Sequence, residues 1–317
     1  MQKYLILLFF CLLACRGNEG SERISIMHLE ALYESDANEL KLDSLNKEFG
    51  YFWEIYSRHI IPLAQDSSVS LALIKFQQDS LYQSVYNDLK KTFADFDVYE
   101  RELTEVLSNY RYYFPERITP SVITFYGAFN YPVVASDSAI AIGLEMFLGH
   151  DYYSDLSQKY PPYMHQQFQP AYMTALAVKG WLETEFPSSE RNFLTQIIHK
   201  GKLHYILSEL MEECPDSILM GYSKKQIEWC ESNEFSIWQF LIQEDLLYTN
   251  KQEVIIKYIG PAPFSKGMPR ESPGRASVWV GWQIVKAYMK RYPNTSFQEL
   301  MAIQDAQYLL TKSKYKP

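Results

Sequence analysis

Between residues 40 and 317 the chain carries no Gly/Ser-rich or Pro-rich linker and no internal repeat. Domain boundaries fall in such linkers, so a stretch this long without one has to close around a shared hydrophobic core. Within it, the spacing of apolar residues sets the elements. Residues 41–60 place Leu42, Leu45, Phe49, Phe52 and Tyr56 at three- and four-residue steps, which predicts a helix. A second helical stretch runs from about Val69 to Phe93 on Leu73, Phe76, Leu81, Val85 and Leu89. A third covers Val98 to Tyr113 and stops before Pro115, because the residue preceding proline avoids the helical region.

The pattern then changes. Ile118 to Phe125, Tyr131 to Ala135 and Ala139 to Phe147 are short apolar runs bounded by Gly127, Asn130 and Gly149, the signature of buried strands. Helices return at Ala171–Glu185 and at Glu190–Glu213, the latter with Ser188 and Ser189 as candidate caps. Ser223-x-x-Gln226 and Ser296-x-x-Glu299 are capping boxes, the first for a helix through Trp238 and towards Leu247. Ser277–Tyr292 has Val278, Trp282, Val285 and Met289 on one face. The expected fold is therefore α+β: a mainly α-helical single domain with a small sheet of about three strands, residues 118–147, between two helical groups.

With 30 Lys+Arg against 38 Asp+Glu the formal net charge is −8, which argues against a nucleic-acid partner. Only 13 glycines serve 317 residues, and neither a P-loop nor a dinucleotide fingerprint is present, so no cofactor is expected.

The N-terminus has its own chemistry. Lys3 precedes an apolar run from Tyr4 to Leu13, shorter than the roughly 20 residues a bilayer span needs. The run ends in Leu12-Leu13-Ala14-Cys15, the pattern of a bacterial lipobox: a small residue before the cut, then a thiol to take the diacylglycerol. Residues 1–14 read as a lipoprotein signal peptide. Residues 15–40 read as lipidated Cys15 with a tether or first helix, and residues 41–317 as the globular domain. At ~0.8 kcal/mol per buried methylene, several acyl chains hold such a protein to a membrane. No Asp follows Cys15, which favours the outer membrane, with the body facing the periplasm.

Cys214 and Cys230 are the remaining thiols after processing. An oxidising compartment permits a disulfide between them, and two buried free thiols fit the sequence equally well.

A zinc-peptidase helix needs two imidazoles on one face with a glutamate between them. His199 and His204 stand five positions apart, about 500° around a helix, and Lys200 occupies the place of the base, so no metal site is expected. Gly-x-Ser-x-Gly is absent, and no catalytic residues stand out. Two loops are candidates for a recognition surface. One holds His150, Asp151 and Tyr152 after a predicted strand; the other runs from Gly260 through Arg270 to Arg275. The competing reading is that both are rigid turns whose Pro and Gly set helix entry. Trp229, Trp238, Trp279, Trp282 and Tyr288 suit a core better than a sugar platform.

The run GPAPFSKGMPRESPGRASVWVGWQIVKAYMKRYPNTSFQELMAIQDAQYLLTKSKYKP resembles the C-terminal signature of the GldB family, gliding-motility-associated lipoproteins of the Bacteroidetes. IAIGLEMFLGHDYYSDL (140–156) and IIHKGKLHYILSELMEECPDSILMGYSKKQIEWCESNEFSIWQFL (197–241) resemble further segments of that family, in order. The resemblance implies a cell-envelope lipoprotein of the gliding-motility apparatus, with other gliding or secretion proteins as partners; the absence of catalytic motifs adds the expectation of a non-catalytic, partner-binding role. It also suggests a zinc-peptidase-like architecture that has lost its metal, since Lys200-Gly201-Lys202 stands on the pertinent helix. The alternatives are a cryptic hydrolase of envelope peptide or glycan, using Glu145 or His150, and a glycan binder using exposed aromatics.

Overall fold

The sheet is nearly buried on both faces, which explains its continuous apolar runs. In the computed structural model, which describes residues 23–34, 42–61, 68–152, 157, 159–188 and 192–317, four strands lie in the order β1-β2-β4-β3. They are β1 (Ile26–His28), β2 (Ser121–Phe125), β3 (Val133–Ala135) and β4 (Ala139–Gly143). β1 and β4 flank β2 in parallel, and β3 runs antiparallel to β4. The three expected strands are present, the third ending at Gly143 where Leu144–Phe147 turns into a 3₁₀ helix, and a fourth joins them. β1 is only three residues long and half-buried, too short to show an alternating pattern. The signal segment, Cys15 and Tyr153 lie outside the described residues.

Alternation along β2 and β4 sends side chains into two cores. Val122, Ile140 and Ile142 join the large helical core, while Ile123, Phe125, Ala139 and Ala141 join a smaller one. The smaller core is closed by α1 (Leu42–Ile55) and the wide turn Tyr56–Ile60, through Phe49, Phe52, Trp53 and Tyr56. Gly50 interrupts α1 at φ 53°.

Several expected helices are each two. The stretch from Val69 to Phe93 divides into α2 (Val69–Gln78) and α3 (Ser80–Thr92), because Asp79 caps α3 with its carboxylate on the Leu81 and Tyr82 amides. The break resets the helical phase, and Leu81 is exposed while Leu73, Phe76, Val85 and Leu89 are buried. α4 (Asp97–Tyr113) matches its expected bounds closely.

α5 (Met173–Glu185) and α6 (Phe193–Leu210) share the larger core with α3 and α4, and α7 (Asp216–Met220) follows. Asn192 caps α6 through the Thr195 amide, where Ser188 or Ser189 was expected. The capping box at Ser223 opens α8 (Lys224–Ser232); Asn233 ends it, and α9 (Glu234–Gln243) follows. α10 (Gln252–Ile259), α11 (Ala276–Arg291), α12 (Phe297–Ala302) and α13 (Ala306–Ser313) complete the chain. The box Ser296/Glu299 opens α12, and Asp305 caps α13.

α6 and α11 form the centre of the helical body and touch backbone to backbone. A Cβ on Gly281 would come within 2.0 Å of the Ile197 carbonyl oxygen, and one on Gly201 within 2.4 Å of the Gly281 carbonyl. Trp279, Trp282 and Tyr288 are buried, and Trp229 and Trp238 pack partly buried against the same core.

Candidate functional site

The histidine and lysine segment of α6 is occupied with holding helices together. His199 Nε2 pairs with the Phe186 carbonyl at 2.9 Å, and Lys200 Nζ donates to Glu183 on α5 at 3.4 Å. Lys202 is buried and donates to the Ile303 carbonyl between α12 and α13, with burial pushing its ammonium down to about 8. His204 is buried against the Trp282 ring at 5.9 Å. Burial first, then Lys179, Arg275, Lys200 and Lys286 around it, hold its pKa well below the ordinary value, so it is neutral. The two imidazoles thus have different neighbours and do not converge.

On α5, Lys179 lies 3.9 Å from Glu183 and lines a cleft of about 220 Å³. Its walls come from the 3₁₀ turn Pro162–Gln167, from α5, from the α7–α8 junction and from the loop 260–275. Tyr160, Tyr163, Phe168 and Tyr222 supply aromatic surface; Lys179 and Arg275 supply charge. Arg275 stands just before α11 at φ 65°, a left-handed conformation that side chains other than Gly, Asn and Asp seldom take. Its Nη2 donates to the Met220 carbonyl at 3.1 Å, and its guanidinium lies 5.8 Å from the Tyr222 ring centre. Tyr222 in turn donates to the Gly274 carbonyl at 2.6 Å, so the two residues brace each other's loops.

The cations here exceed the anions. Lys179 lies 3.9 Å and Lys200 3.4 Å from one carboxylate, that of Glu183. Burial, together with Arg275 and Lys200, pushes Lys179 down to about 8 despite the pull of Glu183. Burial alone would raise Glu183, but the three cations outweigh it and hold the carboxyl below its usual range. In a chain of net charge −8 this is a local reversal of sign.

The sequence-derived candidates separate in space. Arg275 and the loop Gly260–Pro263 belong to the cleft, through Pro261, Ala262, Pro263, Gly274 and Arg275. Arg270 is exposed and does not line it. His150, Asp151 and Tyr152 form a 3₁₀ turn at another place, where Tyr152 donates to Asp88 on α3 at 2.6 Å and stacks on Phe129. Cys214 is half-buried and Cys230 buried, both as free thiols, with burial raising them to about 11 and about 12.

Two polar clusters have partners that a reading of the sequence does not reveal, although Glu145 itself is a sequence candidate. Both sit at the carboxyl ends of the parallel strands, and both depend on strand pairing for their partners. At β1, His28 Nδ1 lies 2.9 Å from both Glu30 and Thr124, and Thr124 donates to Glu30 at 2.7 Å. The Glu30 hydrogen bond, against burial, raises the His28 pKa. Hydroxyl and carboxylate meet the same ring nitrogen, so the arrangement lacks the relay of a catalytic triad.

At β4, Glu145 is completely buried and accepts from the Gly127 and Phe129 amides at 2.9 and 3.0 Å through Oε1; among the described residues its Oε2 has no hydrogen-bond partner. It braces a tight turn whose central residues, Ala128 and Phe129, both have positive φ. Tyr160 donates to Asn130 at the end of this turn and also lines the cleft.

No helix among the described residues is long and apolar enough to cross a membrane. No curated protein and no solved structure matches the chain. A family profile described as "Gliding motility protein GldB", labelled as a lipoprotein family, matches residues 21–317. That span contains every strand, helix and wall of the cleft described above, and the chain belongs to the GldB family of gliding-motility proteins.

Proposed function

We propose that this protein is an envelope lipoprotein of the gliding-motility apparatus. In this reading lipid on Cys15 anchors it, facing the periplasm from the outer membrane, and its body binds partner proteins without catalysing a reaction. The observation that carries the reading is the use of the α6 segment. His199, Lys200 and Lys202 each hold a neighbouring element by a hydrogen bond, and His204 is sealed beneath Trp282. A helix whose polar side chains are spent on its neighbours is suited to a rigid scaffold.

The test is Cys15→Ala in the native organism. The expected outcome is loss of the protein from the membrane fraction, with loss of gliding if the organism glides. Normal fractionation would overturn the anchor. Crosslinking in the native envelope should recover motility or secretion components as partners.

A second reading, a hydrolase of envelope peptide or glycan, has one observation behind it. Burial raises the Glu145 carboxyl to about 7, where a carboxyl works as a general acid or base. Its complete burial weighs against contact with a polymer. Stoichiometric zinc in the purified protein, or a hydrolysis abolished by Glu145→Gln or His150→Ala, would favour this reading.

A further inference from the structure

The cleft beside α5 has three properties that converge on one kind of ligand. First, it combines a compact volume of about 220 Å³ with tyrosine and proline walls. Ligand sites for drug-sized molecules span roughly 300–1,000 Å³, so a short segment fits better than a large cofactor. Second, it has cationic excess: Lys179 and Arg275 line it with no carboxylate among its described lining residues, and Glu183 beside it is shared by Lys179 and Lys200. Glu183 stands 3.9 Å from the Lys179 ammonium, outside hydrogen-bond reach. Third, a long cationic side chain sits in a left-handed conformation that Gly or Asn fills without strain. Strained residues persist where the surroundings over-determine them, and they concentrate at ligand sites. Among the described residues Arg275 makes one hydrogen bond, to the Met220 carbonyl, out of the five donors of a guanidinium.

We infer that this cleft binds a carboxylate-bearing peptide segment, with Lys179 and Arg275 engaging the carboxylate and Tyr163 and Pro263 flanking the residue that carries it. A planar carboxylate matches the guanidinium fork, and the aromatic and proline walls accommodate peptide beside it. The inference rests on the partner-binding reading above and names the chemistry of the partner. The carboxylate has two possible sources, a chain terminus or an Asp or Glu side chain.

The experiment titrates the full mature chain in detergent with three probes: N-acetyl-Gly-Tyr with a free carboxylate, its C-terminal amide, and N-acetyl-Asp-amide. Saturable binding of the first alone assigns a chain terminus. Binding of the third as well assigns acidic side chains. Equal binding of the neutral amide, tight binding of inorganic phosphate in place of the carboxylates, or no binding at all overturns the inference.

Lys179→Met and Arg275→Gln should each weaken binding by roughly tenfold, the size of one charge-assisted hydrogen bond. Lys266→Met, at an exposed position outside the cleft, should leave binding unchanged. A measurement on the unsubstituted protein covers the case in which a variant fails to fold. Bound probe should protect Lys179 from acetylation by acetic anhydride, and unchanged labelling would count against the site. Failure of peptide binding leaves the Cys15 fractionation result standing, and failure of the anchor leaves the peptide titration standing.

Discussion

Glu145 shows how a single buried carboxyl can control a turn. The turn it braces puts Ala128 and Phe129 at φ 52° and 58°, positions where Asn and Gly are the usual occupants. Each non-glycine residue in that region costs about 1–2 kcal/mol, offset here by the two amides that Glu145 accepts. Because burial raises its folded pKa to about 7 from an ordinary 4.5, the folded protein binds the proton more tightly than the unfolded chain. Stability from this group is therefore complete below pH 4.5 and is lost as pH rises through 7. The size is about 3 kcal/mol for a shift of this kind. Thermal melts across that window should show Tm falling with pH, and Glu145→Gln should flatten the fall. A profile unchanged by the substitution would remove the assignment.

The cysteines make a separate residue-scale prediction. Burial raises both thiols far above neutral pH, so thiol reagents at pH 8 should react with neither Cys214 nor Cys230 until the protein is unfolded, and with both afterwards. Finding no reactive thiol after unfolding would establish a disulfide instead. Arg275 was legible in the sequence because it lies in a run rich in Pro and Gly. Lys179 was not, since nothing local distinguishes a half-buried lysine in an amphipathic helix from one on a solvated face.

At the scale of elements, the crossing of α6 and α11 is the most demanding contact. Gly281→Ala would place a methyl group 2.0 Å from the Ile197 carbonyl oxygen, within a backbone that has no side chain to move. The helices would have to separate, at a cost of about 3 kcal/mol or more. Chemical denaturation should show the loss, and Gly201→Ala should show a similar one. A melt within error of wild type would mean the helices can slide.

The helix starts were legible where capping chemistry is local. The boxes at Ser223 and Ser296 open α8 and α12 as their sequences require. Helix ends were harder. Asp79 and Asn233 each interrupt an apolar period that runs on across them, and only the side chain folded back on the chain, or the backbone turn itself, reveals the break. β1 was illegible because three residues carry no period, and its pairing with Val122, Ile123 and Thr124 joins positions almost a hundred residues apart.

At the scale of the whole molecule, a small mixed sheet divides two unequal cores, and β1 closes one edge of it. Deleting residues 1–28 should uncover the edge of β2 and remove the His28–Thr124 contact, giving a lower Tm and a tendency to associate through the exposed strand. An equally stable, monomeric truncation would show that the first strand is dispensable. The proposed anchor on Cys15 would give β1 a mechanical position as well. A pull arriving through the residues before Arg23 would load first the Arg23–Glu100 ion pair and the Ile24 amide's bond to the Thr104 hydroxyl, and then the pairing of Ile26–His28 with Val122–Thr124. Three residue pairs, reinforced by one imidazole between a carboxylate and a hydroxyl, would make a short coupling between the proposed anchor and the body. Under that proposal its strength would set how much tension the body can take before the first strand peels away.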